Sequence, residues 1–152
     1  MGNLNLNQFE MAPQIGDTAQ VASSGVIDCV VNTGQTLVAG QKVSLVASTD
    51  KKVIVVTAAA TGTVGVGIVM KDIQHSTFTA AMHVQIALFG GPGVVMQFMA
   101  GAAIAAGAYV EMQATAGYVI TKSSQKTIGI ALDDVSSGQL VRILITRADY
   151  SS

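Results

Sequence analysis

Short apolar stretches separated by turn-forming residues run along most of the chain after residue 25. They are rich in β-branched residues and include Val26–Val31, Val43–Ala47, Val53–Val56 and Val64–Ile68. Within several of them apolar residues recur at every second position, as Val43 and Leu45 do, which predicts strands with one buried face. Turn signals recur about every ten residues, which is typical of a β-sandwich or barrel. The one helical candidate, the alanine-rich run 100–108, contains two glycines and is predicted to be a loop or single turn.

Part of this pattern occurs twice, in the same order. An Ala-Gly pair opens an alternating strand, a glycine-centred strand follows, and an apolar strand closes the unit. The matched positions are Gly40 and Gly107, 67 residues apart, Gly67 and Gly129, 62 apart, and Val84 and Val141, 57 apart. The spacing falls twice by five residues, so the second copy has two shorter loops. This repeat predicts two similar β-units.

The repeat defines the predicted architecture. Residues 25–152 form one β-rich domain with units at about 26–89 and 94–146. Each unit is too short for a core of its own, so we expect the two to share one. The fold class is therefore predicted as all-β, a compact sandwich or barrel of short antiparallel strands.

Residues 1–24 differ from the remainder of the chain. They are rich in Asn, Gln and small residues and show no sustained period, although Leu4 and Leu6 alternate with asparagines as in a short strand. Two interpretations stand: a frayed terminus, or an extended N-terminal arm that lies on a neighbouring subunit, anchored by residues such as Phe9 and Met11.

Charge is scarce in this chain. Half of the residues are hydrophobic and 11% are charged, against about 25% in an average soluble domain. Eight basic residues balance nine acidic ones without clustering, which argues against a nucleic-acid partner. The deficit is concentrated between Asp72 and Glu111, where no Asp, Glu, Lys or Arg occurs. Part of the surface is therefore expected to be neutral or covered by another protein.

Residues that could perform catalysis are few. His75 and His83 are eight positions apart, about 27 Å on one strand, which is too far to share a metal ion. Cys29, the only cysteine, is predicted to be a small buried hydrophobe. The adjacent Asp133 and Asp134 would point to opposite faces of a strand and are expected to bond backbone amides in a turn. We therefore expect no enzymatic activity, no metal and no cofactor.

Lysines at turns offer an alternative function. Thr49-Asp50-Lys51-Lys52 resembles the hairpin of lipoyl carrier domains, and Val69-Met70-Lys71 resembles a biotinyl turn. A small β-rich carrier or ligand-binding module, modified at Lys51, Lys52 or Lys71, is thus the second hypothesis, although an ordinary lysine-bearing turn explains the same residues.

Membrane and targeting segments are not expected. The start of the chain has no basic residue and no apolar core run, unlike a signal peptide. Residues 84–109 are long enough to span a bilayer, but Gly90-Gly91-Pro92-Gly93 divides them, and two buried strands joined by a turn account for them better.

The C-terminal third of the chain carries the best family resemblance, which begins with Gly107-Ala108-Tyr109-Val110. Gly129-Ile130-Ala131-Leu132-Asp133-Asp134, followed by Ser137-Gly138-Gln139-Leu140-Val141-Arg142-Ile143, resembles the ending of the capsid cement, or head-decoration, proteins of tailed bacteriophages. The strand start Ala39-Gly40-Gln41-Lys42-Val43 is similar to an earlier motif of that family. The resemblance covers roughly residues 26–146.

The resemblance implies a virion protein without enzymatic activity. Such a protein binds the outer surface of an expanded icosahedral head and stabilises it, with the major capsid protein and copies of itself, as a homotrimer, as partners, after synthesis in the host cytoplasm. No direct nucleic-acid or membrane contact is expected. The apolar residues left over from the two β-units are the candidate subunit or capsid contacts: Leu4, Leu6, Phe9, Met11, Phe89, Met96, Phe98 and Met99.

Overall fold

The computed structural model describes residues 25–50, 52–60 and 62–146, which contain twelve β-strands and no helix. The all-β prediction is confirmed. The strands are β1 (Val26–Val31), β2 (Thr36–Val38), β3 (Lys42–Val46), β4 (Val55–Ala58), β5 (Gly67–Val69), β6 (Thr77–Thr79), β7 (His83–Leu88), β8 (Val95–Ala100), β9 (Tyr109–Met112), β10 (Tyr118–Thr121), β11 (Thr127–Ala131) and β12 (Leu140–Ile145). The alanine-rich run 100–108 is a loop after β8, as expected.

Ten of these strands form two closed five-stranded barrels. The first has the order β1-β4-β3-β5-β7, and β7 pairs back with β1. The second has the order β8-β10-β9-β11-β12, and β12 pairs back with β8. Most strand pairs are antiparallel, as predicted, but β1–β4 and β8–β10 are parallel. Five strands in a ring cannot all run opposite to both neighbours, so closure requires a parallel pair.

The two barrels share their strand register as well as their strand order. Val43 pairs with Gly67 in the first barrel, as Val110 pairs with Gly129 in the second. Backbone hydrogen bonds repeat too: the Gly40 N–H donates to the Val69 carbonyl at 2.8 Å, and Gly107 donates to Ala131 at 2.7 Å. The three sequence matches therefore lie on equivalent strands and turns.

The copies differ where the second is shorter. In the first unit, β2 and β6 form a separate two-stranded sheet in which Leu37 pairs with Phe78. The equivalent residues of the second unit, Ile104 and Val135, form only an isolated bridge. The shorter loops thus reduce a small sheet to one pair of residues without changing the barrel.

Each barrel has its own hydrophobic core, so the expectation of one shared core is wrong. One cluster contains residues such as Val43, Phe78 and Ile86, and the other contains Phe98, Val141 and Ile143. A sheet that closes on itself encloses its inner face, so a short unit can bury that face alone. Ile68 is the exception, because it lies on β5 of the first barrel and packs in the second cluster.

The junction between the barrels depends on a close backbone approach. The Gly117 N–H donates to the Gly40 carbonyl at 3.3 Å. A Cβ atom added at Gly40 would lie 2.7 Å from the Gly117 Cα, and the φ of Gly40 is 83°. Glycine at position 40 therefore satisfies both the turn and the contact between barrels.

The side chain of Leu45 does not follow its predicted pattern. Val43 is fully buried, but Leu45 is 58% exposed. Strand β5 pairs with β3 only at Lys42 and Val43, so the second half of β3 has a neighbour on one side alone. The alternation of apolar residues continues beyond the enclosed part of the barrel.

Candidate interaction surfaces

The predicted contact residues of the second barrel separate into inward and outward positions. Phe98 is 1% exposed and fills the second core, so its assignment as a surface contact is wrong. It precedes the inward-facing Ala100 on β8 by two residues, and Met96, on the same inner face, is half-buried against the core. Phe89 also packs half-buried against this core, while Met99 lies on the outer face. For Phe89, Met96 and Met99 a contact role stays a prediction.

The remaining predicted contacts belong to the proposed arm. Leu4, Leu6, Phe9 and Met11 lie outside the described residues, as does the arm itself. The described chain begins at Gly25, where an added Cβ would lie 3.1 Å from Val94 Cγ2 and 3.2 Å from Pro92 Cδ. The first described residue therefore lies at the linker between the barrels, beside the start of β8.

An apolar surface that the sequence reasoning missed covers the outside of the second barrel. Tyr118 pairs with Met99 and Met99 with Leu140, which places three apolar side chains in one row across β10, β8 and β12. Val95 and Leu144 form a second row four residues along β8. Leu140 is 60% exposed, Val95 52% and Tyr118 39%. We call these five residues the β8–β12 face.

A polar row divides this face. Gln97 pairs with Arg142 between the two apolar rows. The guanidinium of Arg142 donates to both carboxylate oxygens of Asp133, with Nη2 at 2.6 Å from Oδ1. These hydrogen bonds, more than the attraction between the opposite charges, lower the pKa of Asp133 to about 2. Arg142 is thus held by a fixed partner on the protein's own surface.

At the equivalent positions of the first barrel the exposed side chain is polar, and the apolar ones are half-buried or buried. Val55, Val30 and His83 occupy the places of Tyr118, Met99 and Leu140. His83 Nδ1 lies 2.7 Å from Asp28 Oδ2, and Gln85 Nε2 donates to Asp28 Oδ1 at 3.0 Å. Two barrels with one backbone register therefore differ in how much apolar side chain they expose on this face.

The two histidines lie near one shallow cavity of the first barrel. The cavity has a volume of about 180 Å³ and is lined in part by Asp28, Asp72 and His83. His75 stands in the loop after β5, where its Nδ1 lies 3.1 Å from Asp72 Oδ2. Among residues 25–50, 52–60 and 62–146, no group of three or more His, Cys, Asp or Glu residues is arranged to hold a metal ion.

The Asp72 turn presents one isolated apolar side chain. Desolvation raises the pKa of Asp72, but hydrogen bonds from the His75 backbone and ring and from the Gln74 N–H outweigh it and lower the pKa. Ile73, inside this hydrogen-bonded turn, is fully exposed. The turn thus fixes a single apolar side chain at the surface.

A small cleft between the barrels is lined in part by Lys42, a largely buried lysine. Its volume is about 90 Å³, and its lining includes Gln41 and Lys42 from the first barrel and Gln113 and Gln125 from the second. Lys42 is 9% exposed, its Nζ donates to the Thr63 carbonyl, and burial lowers its pKa. The hydrogen bond ties β3 to the loop before β5.

Glu111 organises a loop of the second barrel. Its carboxylate accepts hydrogen bonds from the backbone N–H groups of Ser123, Ser124 and Gln125 and from the Ser123 hydroxyl, at 2.7–3.0 Å. Burial raises the pKa of Glu111, but the four hydrogen bonds outweigh it and the pKa lies below its usual range. The carboxylate has a structural role, because it satisfies donors that the turn leaves unpaired.

The remaining residues that the sequence offered as candidates for chemistry are buried, bond the backbone or lie exposed in loops. Burial, followed by the charge of Asp28, raises the pKa of the Cys29 thiol to about 11, which leaves it protonated at neutral pH. Asp134 accepts a hydrogen bond from the Ala106 N–H at 2.8 Å, as expected of a carboxylate that bonds backbone amides. Lys52 and Lys71 are exposed in loops, and Lys51 lies outside the described residues.

None of the described residues belongs to a helix that is long and apolar enough to cross a membrane. No protein-family model and no curated protein matches the sequence. Among solved structures, the N base of the head fiber gp8.5 of bacteriophage phi29 is similar, with a TM-score of 0.53 and 19% sequence identity. The match covers 84% of this chain and 99% of the phage chain, so it extends over both barrels. It shows that the two-barrel fold also occurs in that base.

Proposed function

We propose that this chain is a structural protein of a phage virion that binds the outer surface of the head and stabilises it. The observation that carries the proposal is the fold it shares, across both barrels, with the base of a phage head fiber. The resemblance of the chain's ending to head-decoration proteins points independently to the same part of a virion.

The surface chemistry supports a role in protein contacts. A neutral, partly apolar surface can be buried against another protein without the cost of removing charges from water. The β8–β12 face supplies such a surface, with Val95 and Leu140 more than half exposed. The proposed partners are the major capsid protein and further copies of this chain, in a homotrimer.

The proposed binding and stabilising role can be tested with purified heads that lack the protein. Purified expanded heads are mixed with the chain, sedimented, and challenged with heat or osmotic shock. We expect the chain to sediment with the heads and to reduce the release of DNA. Heads that bind the protein but break as readily as bare heads would limit it to attachment without stabilisation, and absence of binding would reject the proposal.

The carrier hypothesis has one structural observation in its favour, the exposure of Lys52 and Lys71 in loops. The intact mass of protein purified from its natural source decides between the two functions. We expect the unmodified mass. A lipoyl or biotinyl addition that maps to Lys51, Lys52 or Lys71 would replace the structural proposal with the carrier function.

A further inference from the structure

The comparison between barrels shows which surface residues the fold does not dictate. The strand registers of β1, β4 and β7 match those of β8, β10 and β12, so each outward position has a counterpart. At one of these positions His83 stands in the first barrel and Leu140 in the second, so an exposed leucine there is not a requirement of barrel folding. The other four counterparts are apolar in both barrels, but none of them is exposed in the first: Val26, Val30, Val55 and Ala87.

The apolar side chains of the β8–β12 face are grouped rather than scattered. Leu140, Met99 and Tyr118 are consecutive across three paired strands, and Val95 and Leu144 form a second apolar pair beyond the Gln97–Arg142 row. Scattered apolar residues are normal on a surface, whereas contiguous ones mark contact sites. An occupant of matching chemistry is apolar in part and carries polar groups that can face the Gln97–Arg142 row between the two apolar rows.

Residues 1–24 have the required chemistry. They contain Leu4, Leu6, Phe9 and Met11, their charged residues are two acidic ones, and they contain no Lys or Arg. Leu4 and Leu6 alternate with asparagines, so an extended chain would present both to the same side. The segment can therefore place apolar side chains on the rows and polar ones toward water.

The position of Gly25 and the length of residues 1–24 show that the segment can reach the β8–β12 face of a second copy. Gly25 lies beside Val94, next to the first residue of β8. A six-residue strand is about 20 Å long, whereas Met11 and Leu4 lie 14 and 21 residues before Gly25, up to roughly 45–70 Å along an extended chain. The segment is thus long enough to place its apolar residues on the face of a neighbouring copy.

We propose that residues 1–24 of one copy dock on the β8–β12 face of a second copy. The proposal names the contact that would hold together the oligomer assumed in the proposed function, and it concerns the protein without heads. It makes Leu140 and Val95 contact residues and gives the arm an apolar docking site.

Photo-crosslinking in the full-length protein tests the contact. One chain carries a photo-reactive phenylalanine analogue at position Leu140 and, in its own N-terminal segment, the mass marker Val21→Ile. It is co-expressed with a chain that has neither change. A crosslink from Leu140 to an unmarked segment can form only between copies, and mass spectrometry identifies it.

The matched control places the same analogue at position Leu45. Leu45 is 58% exposed and Leu140 60%, but Leu45 lies on the first barrel. We expect unmarked 1–24 peptides to be crosslinked from Leu140 and not from Leu45. Crosslinks only to marked segments, equal crosslinking from both positions, or none to residues 1–24 would each overturn the proposal. Failure to bind heads, with the crosslink present, would reject the virion role and leave this contact in place.

Discussion

A methyl group added at Gly129 is expected to destabilise the protein strongly, because another strand occupies the space. A Cβ atom there would lie 2.3 Å from the Leu144 carbonyl oxygen and 2.6 Å from Ile143 Cγ2. Both atoms belong to β12, which pairs with β11 at this point. The first contact is with backbone, so a rotamer change of a side chain cannot relieve it.

The expected loss follows from these contacts. Overpacking a filled interior costs about 1–3 kcal/mol, and moving β12 away weakens about two backbone hydrogen bonds at about 1 kcal/mol each. Gly129→Ala should therefore lower the free energy of unfolding by about 3–5 kcal/mol. For a chain of this size that corresponds to a fall in Tm of about 6–20 °C.

Thermal and urea unfolding of three variants provide the assay. Gly67→Ala should resemble Gly129→Ala, because its Cβ would lie 2.2 Å from the Ala87 carbonyl oxygen at the equivalent place. Gly138→Ala is the control: its φ is 81°, but no atom lies within 4 Å of an added Cβ. It should cost about 1 kcal/mol for the backbone conformation alone. A loss at Gly129 no larger than that at Gly138 would refute the close-approach argument.

Three further predictions concern single side chains. Ala81 has a φ of 67° at the position equivalent to Gly138. Ala81→Gly should leave the Tm unchanged or raise it by a few degrees, because relief of about 1–2 kcal/mol of backbone strain exceeds the added flexibility of the unfolded chain. A clear fall in Tm would contradict this. Glu111→Gln should destabilise the protein at neutral pH. Because the pKa of Glu111 is lowered in the folded state, its contribution to stability is present above the unfolded-state pKa and is lost as the pH falls through the folded-state pKa. In urea unfolding, the difference in stability between wild type and variant should therefore shrink in acid. A stability difference independent of pH would contradict the carboxylate's role. Phe98→Ala should cost about 3–5 kcal/mol by calorimetry, as a core truncation does, and more than Phe89→Ala; the reverse order would restore Phe98 as a surface residue.

The strands and the repeat could be predicted because local features determine them. Gly67 and Gly129 stand where a neighbouring carbonyl leaves no room for a Cβ atom, and Gly40 and Gly107 both adopt positive φ at the same turn. Such backbone requirements act at single positions and repeat with the fold. They therefore remain visible in the sequence even where the side chains around them differ.

The direction in which side chains point could not be predicted in the same way. Phe98 and Leu45 both lie in alternating or apolar stretches, yet Phe98 is buried and Leu45 is exposed. Which side faces inward, and how far along a strand the barrel extends, depends on pairing with strands distant in sequence. The separate cores have the same origin, because closure of each sheet is not encoded in the period of any one strand.

Comparison of the two barrels also shows which residues the fold requires and which it does not. Positions that agree in both, such as Gly67 and Gly129, are explained by contacts within each barrel. Positions that differ at equal register, such as His83 and Leu140, have no such explanation, since each residue is accommodated by the same backbone. On the outer face of the second barrel Leu140, Val95 and Tyr118 are exposed, whereas their counterparts in the first barrel are the polar His83 and the half-buried Val26 and Val55. The chemistry that distinguishes the barrels therefore lies where another protein chain could reach it, and the search for the protein's partners should begin at that face rather than at the cavities.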